Sequence, residues 1–306
     1  MKFVIQVANL SNLAIPFKPN NALKTSCIMK NQEFAWCLCF LLASLCNPTW
    51  AQPYFDAAGV QYWQSPASYH ADSVGEGYIA ASFSAPIKLG RRSTLVAGAS
   101  YDSRELLGAS WQKKRLSALT VPITYVIQSS DSSKSLSVSC INRLGYVGSF
   151  SSDDTWQLGG AVIGGKRLSP KLFLRAGAYV NQEFFGFYFL PLVGCDWRIS
   201  ERWRLFGLMP SNMRLQHRLN ERVNVGMSFR SFSNSFRKPS GGYVKVFDNH
   251  LFAYCDAKLA SKLVLVMEAG YSDLRRVSDR EPAFEFYTES PGPIFKVGLF
   301  YRVPLP

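Results

Sequence analysis

The sequence predicts an all-β chain, an antiparallel up-and-down transmembrane β-barrel of about 12–14 strands behind a cleaved signal peptide. Three observations predict it. Apolar residues recur with a period of two along nearly the whole chain, the spacing of strands with two unlike faces. Short and long connections alternate between those strands. The composition, 47% hydrophobic, 18% charged and 14% aromatic, carries less charge than the roughly 25% of soluble domains. No run of about 20 apolar residues follows the leader, so no helix is expected to span a bilayer. A barrel strand needs an apolar residue only at alternate positions.

The first 51 of the 306 residues read as leader. From Met29 there is a secretory pattern: Lys30, an apolar run over 34–45, then Thr49-Trp50-Ala51, with small residues placed for cleavage before Gln52. Residues 1–28, with Pro16 and Pro19 and no periodicity, read as an upstream segment whose start is assigned too early, Met29 being the true start. A leader with a role of its own is the alternative. A lipid anchor on Cys46 is disfavoured by the bulky Leu45 before it. Residues 52–306 are then one barrel domain.

Fourteen strands are expected, near 54–63, 76–88, 93–101, 115–127, 135–145, 155–166, 171–183, 188–198, 203–209, 213–219, 222–231, 243–257, 262–272 and 294–303. Leu172, Leu174, Ala176, Ala178 and Val180 share one face, with Arg175 and Asn181 on the other. Val223, Val225, Met227 and Phe229 alternate with Asn224, Gly226, Ser228 and Arg230. Leu263, Leu265, Met267, Ala269 and Tyr271 alternate with Glu268, Gly270 and Ser272. In the last strand Phe295, Val297, Leu299 and Tyr301 alternate with Lys296, Gly298 and Arg302, as in a terminal strand read by the barrel-assembly machinery, although the chain ends on Pro306 and not on an aromatic.

Connections at 89–92, 128–134, 167–170, 199–202, 219–221 and 258–261 are short. Those at 64–75, 102–114, 232–242 and 273–293 are long, although 209–212 is tight where a loop is due. Short turns face the periplasm in such barrels, and long loops face outward. Trp197 and Trp203 flank one short turn; Trp63, Trp111 and Trp156 stand at long-loop ends. These five are expected to form the interface belts, with core tryptophan as the alternative.

A resemblance adds to this reading. Phe189-Leu-Pro-Leu-Val-Gly-Cys-Asp-Trp-Arg-Ile-Ser-Glu-Arg-Trp-Arg-Leu-Phe-Gly207 and Met209-Pro-Ser-Asn212 resemble an outer-membrane β-barrel family of Bacteroidota whose function is unknown. The resemblance rests mainly on residues 187–231 and implies fold and location, with no catalytic residue, ligand or cofactor.

Net charge is +13. Lys2, Lys18, Lys24, Lys30 and Glu33 carry +3 of it, which leaves +10 after residue 51. The basic residues are spread singly, and a secreted chain is kept from nucleic acid, so lipopolysaccharide and outer-membrane lipid are the expected anionic partners. Arg143, Arg175, Asp196, Arg198, Arg204, Arg230, Asp256, Glu268, Lys296 and Arg302 fall on the polar parity and are expected to line the lumen. A lipid-facing Arg or Lys costs about 2–4 kcal/mol near the bilayer midplane. These charges either pair across a narrow lumen and plug it, or line an aqueous path that favours a small anionic solute.

Little else carries chemistry. His70, His217 and His250 are too far apart for a metal helix, and neither metal nor cofactor is expected. Cys140, Cys195 and Cys255 read as small wall residues. Gly159-Gly160 and Gly164-Gly165 lack the lysine and helix of a phosphate loop and read as strand glycines. His70, Asp72 and Ser73 supply the residue types of a lipase, but they are read as a polar loop and the chain as no enzyme. The functional expectation is an outer-membrane barrel acting as a passive channel for small solutes. A structural barrel with a closed lumen is the alternative. An outer-membrane lipid hydrolase and a secreted β-sandwich binding protein come after these.

Overall fold

The computed structural model describes residues 54–66, 74–108, 113–150, 155–281 and 285–304. Residues 1–51, which the sequence reads as leader, Trp111 and the set His70, Asp72 and Ser73 lie outside the described residues. Among those described there are sixteen strands and no helix long and apolar enough to cross a membrane.

Fourteen strands close into an antiparallel barrel. They are β1 (Tyr54–Ser65), β2 (Val74–Lys88), β3 (Ser93–Gly108), β4 (Lys114–Gln128), β5 (Lys134–Val147), β6 (Trp156–Ser169), β7 (Leu172–Glu183), β8 (Gly186–Arg198), β9 (Trp203–Met209), β10 (Asn212–Arg218), β11 (Val223–Arg237), β12 (Tyr243–Lys258), β13 (Leu263–Ser272) and β16 (Gly292–Pro304). Each pairs with the next, and β1 closes on β16 over Tyr54–Gln64. The extra pair, β14 (Arg276–Arg280) and β15 (Glu285–Glu289), hangs from the upper part of β12.

Parity decides which side of the wall each residue faces. On β13 Val264, Val266, Glu268 and Ser272 are buried, while Met267 and Tyr271 between them are exposed. The outward set (Val60, Ile79, Phe83, Ile123, Val138, Val162, Phe189, Met227 and Phe295 among others) is large, apolar and exposed all round the barrel. Such a belt is stable only against hydrocarbon, because water penalises each apolar face. Local chemistry closes the short turns at the end where the described segment begins and ends. Ser200 Oγ accepts from the N–H groups of Arg202 (3.4 Å) and Trp203 (3.1 Å). Asn220 Oδ1 accepts from Arg222 (2.8 Å) and Val223 (2.9 Å), the self-bonding turn that asparagine favours.

The opposite, loop end departs from the sequence expectation. The segment 102–114 is not all loop, since β3 runs on to Gly108. The segment 232–242 is mostly strand, because β11 continues to Arg237 and pairs with β12 residue for residue up to Tyr243. The segment 273–293 holds the β14–β15 hairpin. The alternation that marks a wall stops at Ser231: Ser231, Ser233, Asn234, Ser235 and Phe236 are all buried, on both faces of the strand. Both faces are covered because the upper parts of β11 and β12, with β14 and β15, leave the wall as a four-stranded flap folded over the lumen. Arg237 of β11 forms a parallel bridge to Tyr146 of β5, a strand from the far side of the barrel.

Candidate functional site

The flap is held from below by apolar contact and at its edge by hydrogen bonds. Phe236, Val244, Val246 and Val277 from the flap pack with Val74, Leu106, Leu116 and Ala118 from β2, β3 and β4. Ser235 is the fastening point. Its carbonyl accepts from Arg143 Nη1 (2.9 Å), and its N–H donates to Glu183 Oε2 (3.0 Å). Its hydroxyl donates to Glu183 Oε2 (2.5 Å) and accepts from Gln157 Nε2 (3.0 Å) and from the Phe184 N–H (2.9 Å). One flap residue is thereby tied to β5, β6 and the end of β7. Gly145 makes the approach possible: a Cβ there would lie 2.9 Å from the Ser235 carbonyl oxygen.

A second cluster lies beneath the flap near β1 and β2. Glu76 pairs with Arg104 (2.7 Å) and Arg275 (3.4 Å), and Arg275 also reaches Asp248 (3.2 Å). Asp248 accepts from Ser272 (2.5 Å), and His250 Nε2 lies 2.9 Å from its other carboxylate oxygen. Arg275 crosses to the Val74 carbonyl (3.1 Å) and Ser65 Oγ (2.5 Å), which pins the segment leading into β14. Trp63 belongs to this cluster, which corrects its assignment to an interface belt. It is buried, stacks on Tyr78 with centroids 3.4 Å apart, and donates to Glu76 Oε1 (3.3 Å). On β1 the outward position belongs to Tyr62, so strand parity turns Trp63 into the lumen. Trp156, Trp197 and Trp203 are exposed on the outer surface.

The third cluster bridges the lumen nearer the turn end. Glu268 meets Lys296 (3.1 Å), Arg230 (3.2 Å) and Arg214 (3.5 Å). Asp256 meets Arg302 (2.7 Å) and Arg214 (3.2 Å), and Arg302 also meets Asp56 (2.7 Å). Arg302 and Arg214 lie 3.7 and 3.8 Å over the rings of Tyr54 and Tyr254. On the other wall Arg204 forms a two-pronged pair with Asp196 (2.6 and 2.5 Å). Arg175 lies 5.1 Å from the Phe173 ring. Arg198, last residue of β8, stands exposed at the turn rim.

Sequence parity thus selected residues that the fold brings together, Arg230, Asp256, Glu268, Lys296 and Arg302 in one cluster. It missed Arg214, Asp56, Glu76, Arg104, Asp248, Arg275 and the Ser235 fastening. Arg214 lies between Met213 and Leu215 and could have been found by the same parity, whereas Glu76 sits between Gly75 and Gly77, which give no such signal. Ser235 and Arg275 could not, because they lie where the chain leaves the wall and parity loses its meaning. Cys140, Cys195 and Cys255 are free thiols.

No protein-family model and no curated protein matches the chain. Among solved structures it is similar to an outer membrane channel from Pseudomonas putida F1, at 10% identity and a TM-score of 0.48, over 85% of this chain and 99% of that one. It is also similar to the toluene transporter TodX of Pseudomonas putida, at 12% identity and a TM-score of 0.40, over 81% and 88%. A likeness to the NanC porin has 9% identity and a TM-score of 0.39, over 80% and 99%.

Proposed function

We propose that the chain is a conduit of a Gram-negative outer membrane, held shut by its own flap. The turn end then faces the periplasm and the flap faces outward. The observation that carries this reading is the fastening of Ser235 to Arg143, Gln157 and Glu183 across the barrel. A strand drawn out of the wall, tied to three others by polar bonds and seated on an apolar cluster, closes one mouth. Beneath it, Asn212 Oδ1, Gln216 Oε1, Ser228 Oγ and Tyr254 OH are buried without a protein partner, as side chains of a wetted lining are. Expected partners are outer-membrane lipid with lipopolysaccharide, and the barrel-assembly machinery. The family of Bacteroidota barrels named above is the proposed kinship. A preference for anions is weakened by the pairing of Arg204, Arg230, Lys296 and Arg302 with carboxylates.

A permanently closed structural barrel is the second reading, favoured by the bridges that Asp256 and Glu268 make within the lumen. Planar-bilayer recording separates the two. The wild-type barrel is expected to be nearly silent. A variant with residues 232–248 replaced by a two-residue turn, which keeps Ser231 opposite Asn249, folded by heat-modifiable migration, is expected to give long-lived current steps. A folded but silent variant would overturn the conduit.

A further inference from the structure

Above Arg230 the barrel wall is incomplete. β9 and β10 have seven residues each, between β8 with thirteen and β11 with fifteen. β8 pairs with β9 only from Val193 to Arg198, and β11 pairs with β10 only as far up as Arg230. Residues 186–192 of β8 therefore have β7 on one side and, among the described residues, no paired strand on the other. The stretch of β11 that would complete the wall at this height, from Ser231 upward, is the strand drawn into the lumen. The break has the tight β9–β10 turn as its lower edge. The flap closes it above, where Ser235 holds the Phe184 N–H and Lys245 Nζ lies 4.0 Å from the Phe185 ring.

Behind the break the barrel interior is apolar. Ile141, Ile163, Tyr179, Leu190, Leu192 and Leu208 form one buried cluster on the inward faces of β5 to β9. Membrane barrels of this kind line their interior with polar groups, and the charged clusters elsewhere in this lumen follow that rule. Tyr188 and Phe232 pack against the cluster. On the outer face of β8, Phe187, Phe189 and Val193 are exposed. An unpaired strand edge is tolerated at membrane depth only where polar groups or water can reach it. Pro191, in the middle of that edge, has no N–H to leave unpaired.

We propose that the break is a lateral portal through which a small amphipathic molecule passes between the lumen and the loop-end half of the bilayer. Its apolar body lies against Leu190, Leu192 and Leu208, and its polar group meets the free edge of β8. A buried apolar cluster beside unpaired backbone in the wall fits that pairing of chemistries, which neither an ion nor a fully apolar lipid tail would use. The portal rests on the conduit reading above.

The test uses the full chain in lipid vesicles with a long-chain alcohol that carries a photoreactive diazirine. After irradiation the labelled residues are mapped by mass spectrometry. Outward residues such as Phe189 and Val193 are labelled in any case and serve as the internal standard. The portal requires labelling of Leu190, Leu192, Tyr179 and Leu208, and none of Leu106 or Leu116, which are also inward but lie beneath the flap. Excess unlabelled alcohol should suppress labelling of the cluster and not of the belt. Leu190→Asn with Leu192→Asn should abolish labelling at Tyr179 and Leu208; the competition experiment decides the matter should that variant fail to fold. Labelling confined to the belt, or equal labelling of Leu106 and Leu116, would overturn the portal. A barrel that labels only on the belt yet conducts when its flap is released would lose the portal and keep the conduit. A labelled cluster in a barrel that never conducts would overturn the conduit itself.

Discussion

Replacing Glu268 by Gln removes the carboxylate on which three lumen cations converge, with contacts of 3.1 Å to Lys296, 3.2 Å to Arg230 and 3.5 Å to Arg214. At an effective dielectric constant of about 20 each contact has a gross attraction of about 5 kcal/mol. Much of that is offset by the water Glu268 gave up to sit at 3% exposure. What the substitution leaves is three cations repelling one another, Lys296 and Arg214 buried and Arg230 partly exposed, and breaking a buried pair typically costs about 3–5 kcal/mol. Glutamine keeps the shape and one acceptor, so a loss of about 3 kcal/mol is expected. The assay is urea unfolding of the barrel refolded in short-chain phosphatidylcholine vesicles, followed by heat-modifiable migration and tryptophan fluorescence. Asp196→Asn is the comparator. It breaks a shorter pair (2.5 Å), but one whose side chains are 23% and 18% exposed, and a partly solvated pair is worth about 1 kcal/mol or less. Adding Lys296→Met to Glu268→Gln should recover part of the loss, since removing both partners leaves less uncompensated charge. If Glu268→Gln unfolds like wild type, or Asp196→Asn costs as much, burial is not what ranks these pairs.

Other outcomes follow from the flap. Gly145→Val should push Ser235 off the wall, since even a Cβ there comes within 2.9 Å of its carbonyl; current steps in a planar bilayer, without truncation of the flap, are the expected sign, and silence from the folded variant would count against the fastening. Acid should loosen the flap from its outer side. Burial acts to raise the Asp279 carboxyl, but hydrogen bonds from Lys114 and Lys238 outweigh it and hold the group below the usual carboxylate range. Glu281 is held low by its hydrogen bond to Lys238. A depressed pKa contributes stability that is present above the unfolded value, about 4 for these groups, and lost as pH falls through the lower folded value. Limited proteolysis at the flap should therefore be flat from neutral pH down to about 4 and rise below it, and Lys238→Met should raise cleavage already at neutral pH and flatten the acid rise.

The wall follows from local sequence pattern alone. A period of two is a local property, because successive side chains of a strand point to opposite faces whatever the strand pairs with. Met267, Ala269 and Tyr271 were therefore readable as outward, and Glu268, Lys296 and Arg302 as inward, before any partner was known. The short turns were equally local: Asn220 and Ser200 bond their own backbone two and three residues on. The strands of the wall were legible for that reason, and with them most of the charged lumen set. Trp63 was not, because its place in the belt was judged from nearness to a loop and not from its parity against Tyr62.

The filling of the lumen follows from long-range contacts. Ser231 to Arg237 has the composition of a loop, with serines on alternate positions, and no period distinguishes a strand that stays in the wall from one that bends inward. Its course is set by partners far away in the chain: Arg143, Gln157 and Glu183 at its edge, and Leu106, Leu116 and Val74 beneath it. The same holds for Arg275, which finds Glu76 and Ser65 some two hundred residues earlier. Which carboxylate meets which cation, and where the wall is left open beside β8, are consequences of closure. They depend on strand lengths and register taken together, and a pattern that repeats every two residues carries information about neither.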